Sequence, residues 1–314
     1  MGVQYLENIT EFLGNEEERY FSNGFKQIDC NYENLHYQNK LLTGEVIVDY
    51  KWDKKKTKHL HLGTVEYIAI ASVVCEQILS TEFQLIPEEV SFCWINSFKI
   101  KIQTPVKLLD NAKIQVSGKL LSTEKISLLN EYKSSFEIKI DKTLAKISVI
   151  HSQNTKFNFF NSHTRVDKLS TYCIGYKKRK HLIEKITSNE DLMICTAAVS
   201  VENSNRNCQK IGIGSQYEGI LLTDIVLIFG QLAQVLFYQI EKTDRNKGDN
   251  IWLKEIDISI DKPNEEMEYG AKLSFTSIKT LELKKEKQMW RSVQTFSELG
   301  DNISLSAKII SQIK

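Results

Sequence analysis

Only three prolines occur in 314 residues and no low-complexity tract is present, which excludes a disordered chain. Charge of one sign is also missing: 41 basic side chains face 40 acidic ones, for a formal net charge of +1. No global field then favours nucleic acid or an anionic membrane. The six cysteines (Cys30, Cys75, Cys93, Cys173, Cys195, Cys208) contain no CxxC pair. Cys75 falls in an apolar helix, where a free thiol packs well. The N-terminal segment lacks a basic stretch followed by an apolar core, so no secretory signal is read there. Free thiols and a cytoplasmic location are the expectation.

What the chain does have is one very apolar stretch, Gly219 to Gln239, GILLTDIVLIFGQLAQVLFYQ. It is apolar on nearly every side, so as a helix it must be wrapped by protein or lie in lipid. Its length suits a bilayer, but Asp224, Gln231 and Gln234 interrupt it and polar groups are costly there. The expectation is a buried helix in a soluble fold, without membrane insertion. Those three residues fall within one side of the helix. They form a polar strip that either meets a neighbouring element or lines a pocket.

Sliding the chain against itself by 158 residues lays His61 to Leu79 over this helix, with Glu66 on Asp224 and Glu76 on Gln234. The same offset places Trp94 on Trp252 and Pro105 on Pro263. Upstream the offset is 151, where Gly24-Phe25-Lys26 meets Gly175-Tyr176-Lys177, so the second half carries a longer loop between Val201 and Glu218. An ordered repeat of this length reads as two tandem copies, residues 1–155 and 156–314, each large enough for its own core.

A helix is expected over 64–79 and again over 222–238, with a short one at Leu6 to Phe12. Leu41 to Tyr50 alternates as a half-buried strand. Extended segments follow each long helix: Val90 to Thr104, Ala112 to Leu121, Ser134 to Ile140 and Ala145 to Ile150, then Ile251 to Ile260, Ala271 to Ile278, Arg291 to Ser297 and Ile303 to Ile309. An antiparallel sheet covers an all-round apolar helix only by curling about it. The fold class is therefore α+β, a double hotdog of two tandem repeats. The basic runs Lys51 to Lys58 and Lys177-Lys178-Arg179-Lys180 read as solvated loops, with docking of a phosphate or an acidic carrier as the alternative.

The opening LENITEFLGNEEERYFSNGFKQI, the segment HLGTVEYI, and ILLTDIVLIFGQLAQVLFY followed by NIWLKEIDIS resemble the avirulence protein D (AvrD) family over nearly the whole chain. That resemblance implies an enzyme of secondary metabolism that joins a β-ketoacyl chain to a ketose-like acceptor, giving acyl lactones such as syringolides. The paired-repeat A-factor synthase type is a related case. The partners implied are a thioester of acyl-carrier protein or coenzyme A and a sugar-like small molecule. No cofactor is expected, and the chain is read as a monomer or homodimer. The alternatives are a dehydratase or thioesterase on acyl thioesters, or a sensor that binds them without turnover.

Asp224, in LLTDIVL, resembles the catalytic aspartate of dehydratase hotdogs, although Ile228 stands where those enzymes carry Gln or His. As an acidic residue in the first helical turn it also suits the helix dipole, and Glu66 repeats it. His61 precedes the first helix, as a histidine does in the dehydratases, and is expected to pair with Asp224 across the copies. The second copy offers Gly219 there, so one competent site is expected, with His61, Asp224 and Glu66 as catalytic candidates. Gln231, Gln234, Glu76, Gly230 and Tyr217 are the candidate substrate-binding residues. For the glutamines a structural amide bridge to Glu76 is the competing account. Gly230 would admit a backbone or an acyl chain close to the helix. His59 and His61 lack a third nitrogen or sulfur ligand nearby, so no metal is expected.

Overall fold

Residues that alternate in hydrophobicity pair into one very large antiparallel sheet. In the computed structural model, residues 2–52, 61–104, 106–108, 113–126, 130–152, 162–163, 166–203, 211–243, 251–263, 268–283 and 288–313 are described. Residues 53–60, which hold most of the first basic run and His59, lie outside them, as do Pro105 and Cys208. The strands are β1 (Val3–Asn8), β2 (Ile28–Gln38), β3 (Leu41–Tyr50), β4 (Trp94–Lys101), β5 (Lys113–Lys125), β6 (Glu131–Ile140) and β7 (Thr143–Ser152), then the short β8 (Ser162–His163). They continue with β9 (Arg179–Asn189), β10 (Ile194–Asn203), β11 (Ile251–Ile260), β12 (Glu268–Leu283), β13 (Gln288–Leu299) and β14 (Ile303–Ile313). Between them lie helices α1 (Thr10–Leu13), α2 (Thr64–Glu82), α3 (Pro87–Ser91) and α4 (Leu222–Ile240).

The sheet order is β1-β9-β10-β12-β13-β14-β11-β4-β7-β6-β5-β3-β2-β8. Outward from the central β11–β4 pair, the two arms run β4, β7, β6, β5, β3, β2 and β11, β14, β13, β12, β10, β9, each arm holding one long helix. Two contacts relate the arms. Lys99 lies opposite Asp257, 158 residues away, in the β11–β4 register. Phe25 stacks on Tyr176, its counterpart at the offset of 151, with ring centroids 6.0 Å apart. In these two contacts a residue meets its counterpart from the self-comparison.

The helices begin where expected and run two or three residues longer. α2 packs on β2, β3, β5, β6 and β7, and α4 on β9, β10 and β12. A long helix enclosed by an antiparallel sheet is the hotdog arrangement. Every residue from Val65 to Leu79 is buried, and so is every one from Leu222 to Tyr238 except Gly230 and Gln234. By length and composition α4 also suits a membrane span, yet its apolar surface is already taken up inside the protein.

Local reading failed in three places. Leu6 lies in β1, not in a helix, because β1 finds its ladder partner in β9 some 180 residues away; only Thr10–Leu13 is helical. Val90 belongs to α3, started by Pro87 at a first-turn position where its missing N–H costs nothing. The second basic cluster is not a solvated loop: Lys177 is largely covered, bonded to Asp29 at 2.7 Å, and Arg179 is buried at the start of β9.

Candidate functional site

Arg179, His181 and Ile183 alternate along β9 and turn to its inner face. That places a guanidinium and an imidazole beneath the N-terminus of α4. Arg179 Nε lies 2.8 Å from Asp224 Oδ2, and His181 Nε2 donates to Asp224 Oδ1 at 2.8 Å. The Leu221 amide donates to the same carboxylate at 2.7 Å, so Asp224 also caps its helix. Arg179 spends a further N–H on the Gly219 carbonyl. Burial alone would raise the Asp224 carboxyl, but Arg179, then His181 and the Leu221 amide, outweigh it and hold the group below the usual carboxylate range.

The expected pairing of His61 with Asp224 is corrected by this geometry. The His61 ring packs on Trp252 at 5.9 Å, and its backbone bridges to Lys107. Asp224 takes its partners from the strand that precedes its own helix, and His61 is not among them. The histidine paired with Asp224 is His181, not the His61 to which the resemblance to dehydratases pointed. The signal that would have found His181 is the inward alternation of RKHLI. Glu66, fully buried at the start of α2, accepts a hydrogen bond from the Tyr20 hydroxyl at 2.6 Å.

Gln231 is engaged on both ends of its amide. Its Oε1 accepts from Arg19 at 2.9 Å and from Ser22 at 3.0 Å, and its Nε2 donates to the Leu227 carbonyl at 3.2 Å. The bridge to Glu76 entertained from sequence is therefore absent; the partner is Arg19, 2% exposed and reaching across from the first arm. Gly230 admits an aromatic ring, not an acyl chain, since a Cβ there would stand 2.9 Å from Phe21. Gln234 is half-buried. The Tyr217 hydroxyl donates to the Phe92 carbonyl at 2.9 Å, beside Trp94 and Pro263.

Glu76 is different. It sits midway along α2, 4% exposed, and its Oε2 accepts from the Ile213 amide at 3.0 Å. Ile213 lies on a turn supplied by the second arm, where Gly212 adopts φ +93°, a conformation that favours glycine. A Cβ on Gly212 would also come within 2.7 Å of that carboxylate oxygen. Burial drives the Glu76 carboxyl up to about 7, the Ile213 amide opposing it and Asp167 adding to it. Of the two long helices, only α2 thus carries at its midpoint a carboxyl able to gain and lose a proton near neutral pH. Its counterpart in α4 is the amide of Gln234.

No curated protein matches the chain. Among solved structures, the tesB protein of Mycobacterium avium subspecies paratuberculosis is 8% identical, covering 90% of this chain and 96% of that one, with a TM-score of 0.43. Acyl-CoA thioesterase II TesB2 of Mycobacterium marinum is 7% identical, with coverages of 92% and 96% and a TM-score of 0.40. The dehydratase domain from the CurK module of curacin polyketide synthase is 10% identical, with coverages of 90% and 97% and a TM-score of 0.39. The profile of the Pseudomonas avirulence D protein (AvrD) family matches residues 4–307, nearly the whole sequence, and the chain belongs to that family.

Proposed function

We propose that the protein is an acyl-thioester-utilising enzyme that joins a β-ketoacyl chain to a ketose-like acceptor and so forms an acyl lactone. In this reading the chain is a double hotdog whose repeats are residues 1–155 and 156–314. The first repeat begins with a strand lent to the second, since β1 pairs with β9. Membership of the AvrD family supports the reading, and Glu76 is the observation that carries it. A buried carboxyl brought to about 7 is suited to take a proton from an attacking hydroxyl and return it to a leaving thiolate. Asp224, locked between Arg179 and His181, serves to hold α4 in place, and the Phe21 ring fills the space over Gly230 in the other arm. In this reading there is one competent site, centred on Glu76 of α2 and not on the His61–Asp224 pair.

The test is to incubate the purified protein with β-ketoacyl thioesters of coenzyme A and of a carrier protein, together with a panel of ketoses, and to identify products by mass spectrometry. An ester of acyl chain and ketose, lost in Glu76→Gln, is the expected result. Free acid alone would replace this reading with a thioesterase, an enoyl thioester with a dehydratase, and tight binding without product with a sensor.

A further inference from the structure

We propose that the groove between β2 and the turn at residues 166–174 is the port by which substrate reaches Glu76, and that the Tyr32 hydroxyl donates to the thioester carbonyl oxygen there. This assignment rests on the acyl-thioester reading and adds a port and a catalytic residue to it. The groove encloses about 500 Å³, with Cys30, Tyr32, Leu35, Val166, Cys173 and Ile174 among its lining. In the β2–β3 ladder Cys30 lies opposite Val48 and Tyr32 opposite Val46. Residues directly opposite share a face, and both valines are buried in the core, so Tyr32 points inward toward α2. Its hydroxyl oxygen is sealed from solvent and has no hydrogen-bond partner among the described residues. A buried hydroxyl left in this state is costly unless a ligand satisfies it.

One wall joins the groove to Glu76. A Cβ on Gly212, 2.7 Å from Glu76 Oε2, would also lie 3.0 Å from Ser170 Cβ and 3.1 Å from the Thr171 nitrogen. Ser170 and Thr171 thus pack on the Glu76 turn, while Cys173 and Ile174 of the same turn face the groove. Burial above all raises the Tyr32 phenol well above its ordinary range, and the ionisable groups of Cys30, Cys173, Tyr176 and Glu76 nearby oppose its ionisation further. The hydroxyl is therefore a donor at any physiological pH. At the mouth, Lys51 is spent on Asp29 at 2.9 Å and Asp49 at 3.1 Å, and Lys177 on Asp29 at 2.7 Å. Lys168 also lines the groove, so the mouth keeps a further cation beside these paired charges, while the wall of Cys30, Tyr32, Leu35, Val166, Cys173 and Ile174 is uncharged.

In the transfer step, the acceptor oxygen attacks the thioester carbon as its proton passes to Glu76. Charge builds on the carbonyl oxygen, which accepts the Tyr32 hydrogen bond without taking the proton. The C–S bond then breaks, the thiolate recovers the proton from Glu76, and ester and thiol are released. Loss of one such donor costs about 10²–10³ in kcat.

The experiment uses a ¹³C-labelled β-ketoacyl-pantetheine thioester bound to the full chain carrying Glu76→Gln, which halts turnover. Infrared difference spectra should show its carbonyl band displaced to lower frequency, and Tyr32→Phe added to that variant should abolish the displacement. In the otherwise native protein, Tyr32→Phe should lower kcat by about 10²–10³ with KM changed little. Cys173→Phe, checked for native circular dichroism, should instead raise KM by about tenfold or more. A displaced band that survives Tyr32→Phe overturns the Tyr32 role, and an unchanged KM in Cys173→Phe overturns the port. Failure of the labelled thioester to bind any form would refute the acyl-thioester reading itself.

Discussion

Replacing Asp224 by Asn keeps the shape of the side chain and removes the one charge that Arg179 and His181 share. Their side chains are 4% and 3% exposed, and Asp224 itself is 0% exposed, so water cannot take over. Breaking one member of a buried ion pair costs about 3–5 kcal/mol, a large part of the roughly 5–15 kcal/mol that stabilises a typical protein. The asparagine still offers an oxygen to the Leu221 amide, so the cap survives and the loss reports charge alone. Urea unfolding followed by circular dichroism at pH 7 measures it. The triple variant Arg179→Met, His181→Leu and Asp224→Asn, which keeps an oxygen for the Leu221 amide, should recover part of the loss, because removing all the charged partners together leaves no buried charge uncompensated. The sign of the pH dependence follows from the depressed carboxyl. Its contribution is present above the unfolded value of about 3.9 and disappears as pH falls through the folded one. The gap between wild type and Asp224→Asn should therefore narrow from pH 7 toward pH 3. A loss under about 1 kcal/mol at pH 7, or a gap that does not respond to acid, would refute the account of this cluster.

Glu76 gives the opposite sign: with its folded carboxyl at about 7 and an unfolded value of about 4.3, stability falls as pH rises between the two. Glu76→Gln should unfold at higher urea than wild type at pH 8 and show little difference at pH 4, while losing about 10²–10⁴ in turnover. Gly230→Ala should destabilise by about 1–3 kcal/mol despite the better helix propensity of alanine, because the new methyl meets Phe21 at 2.9 Å. In a Phe21→Ala background the same change should become neutral or stabilising by thermal melting. Lys99→Ala should cost no more than about 1 kcal/mol, since the pair with Asp257 is about half exposed on both sides; a larger loss in urea unfolding would mean the central strands depend on it.

Much of the fold was legible because the two halves of the sequence can be laid over each other. The offset that superimposes Glu66 on Asp224 also superimposes Lys99 on Asp257, and these last two face each other at the central strand pair. An all-round apolar helix has few ways to be covered, so α2 and α4 announced the enclosing sheet. The illegible parts depend on partners remote in sequence. Nothing local in VQYLEN distinguishes β1 from a first helical turn; its partner in β9 decides. A run of four basic residues reads as solvent-facing until alternation puts Arg179 and His181 on the inner face of β9, opposite a carboxylate on α4.

The site follows the same logic in reverse, since chemistry is to be sought where the copies differ. Asp224 and Glu66 were conspicuous because they repeat, yet repetition is what a helix start needs in both arms. Glu76 was visible as a carboxyl opposite Gln234 in the self-comparison, but its environment was not, for it comes from the segment where the repeat offset jumps from 151 to 158. The longer second-arm loop that accounts for those seven residues includes Gly212 and Ile213, and it brings a backbone amide to Glu76 across the molecule. In the other arm the counterpart of Glu76 is the half-buried Gln234, and one turn away Arg19 and Phe21 close over Gln231 and Gly230. An insertion and a plug break the twofold relation in opposite senses, leaving a titratable carboxyl in α2 and a tied amide in α4. A chain with two equivalent sites would need neither device.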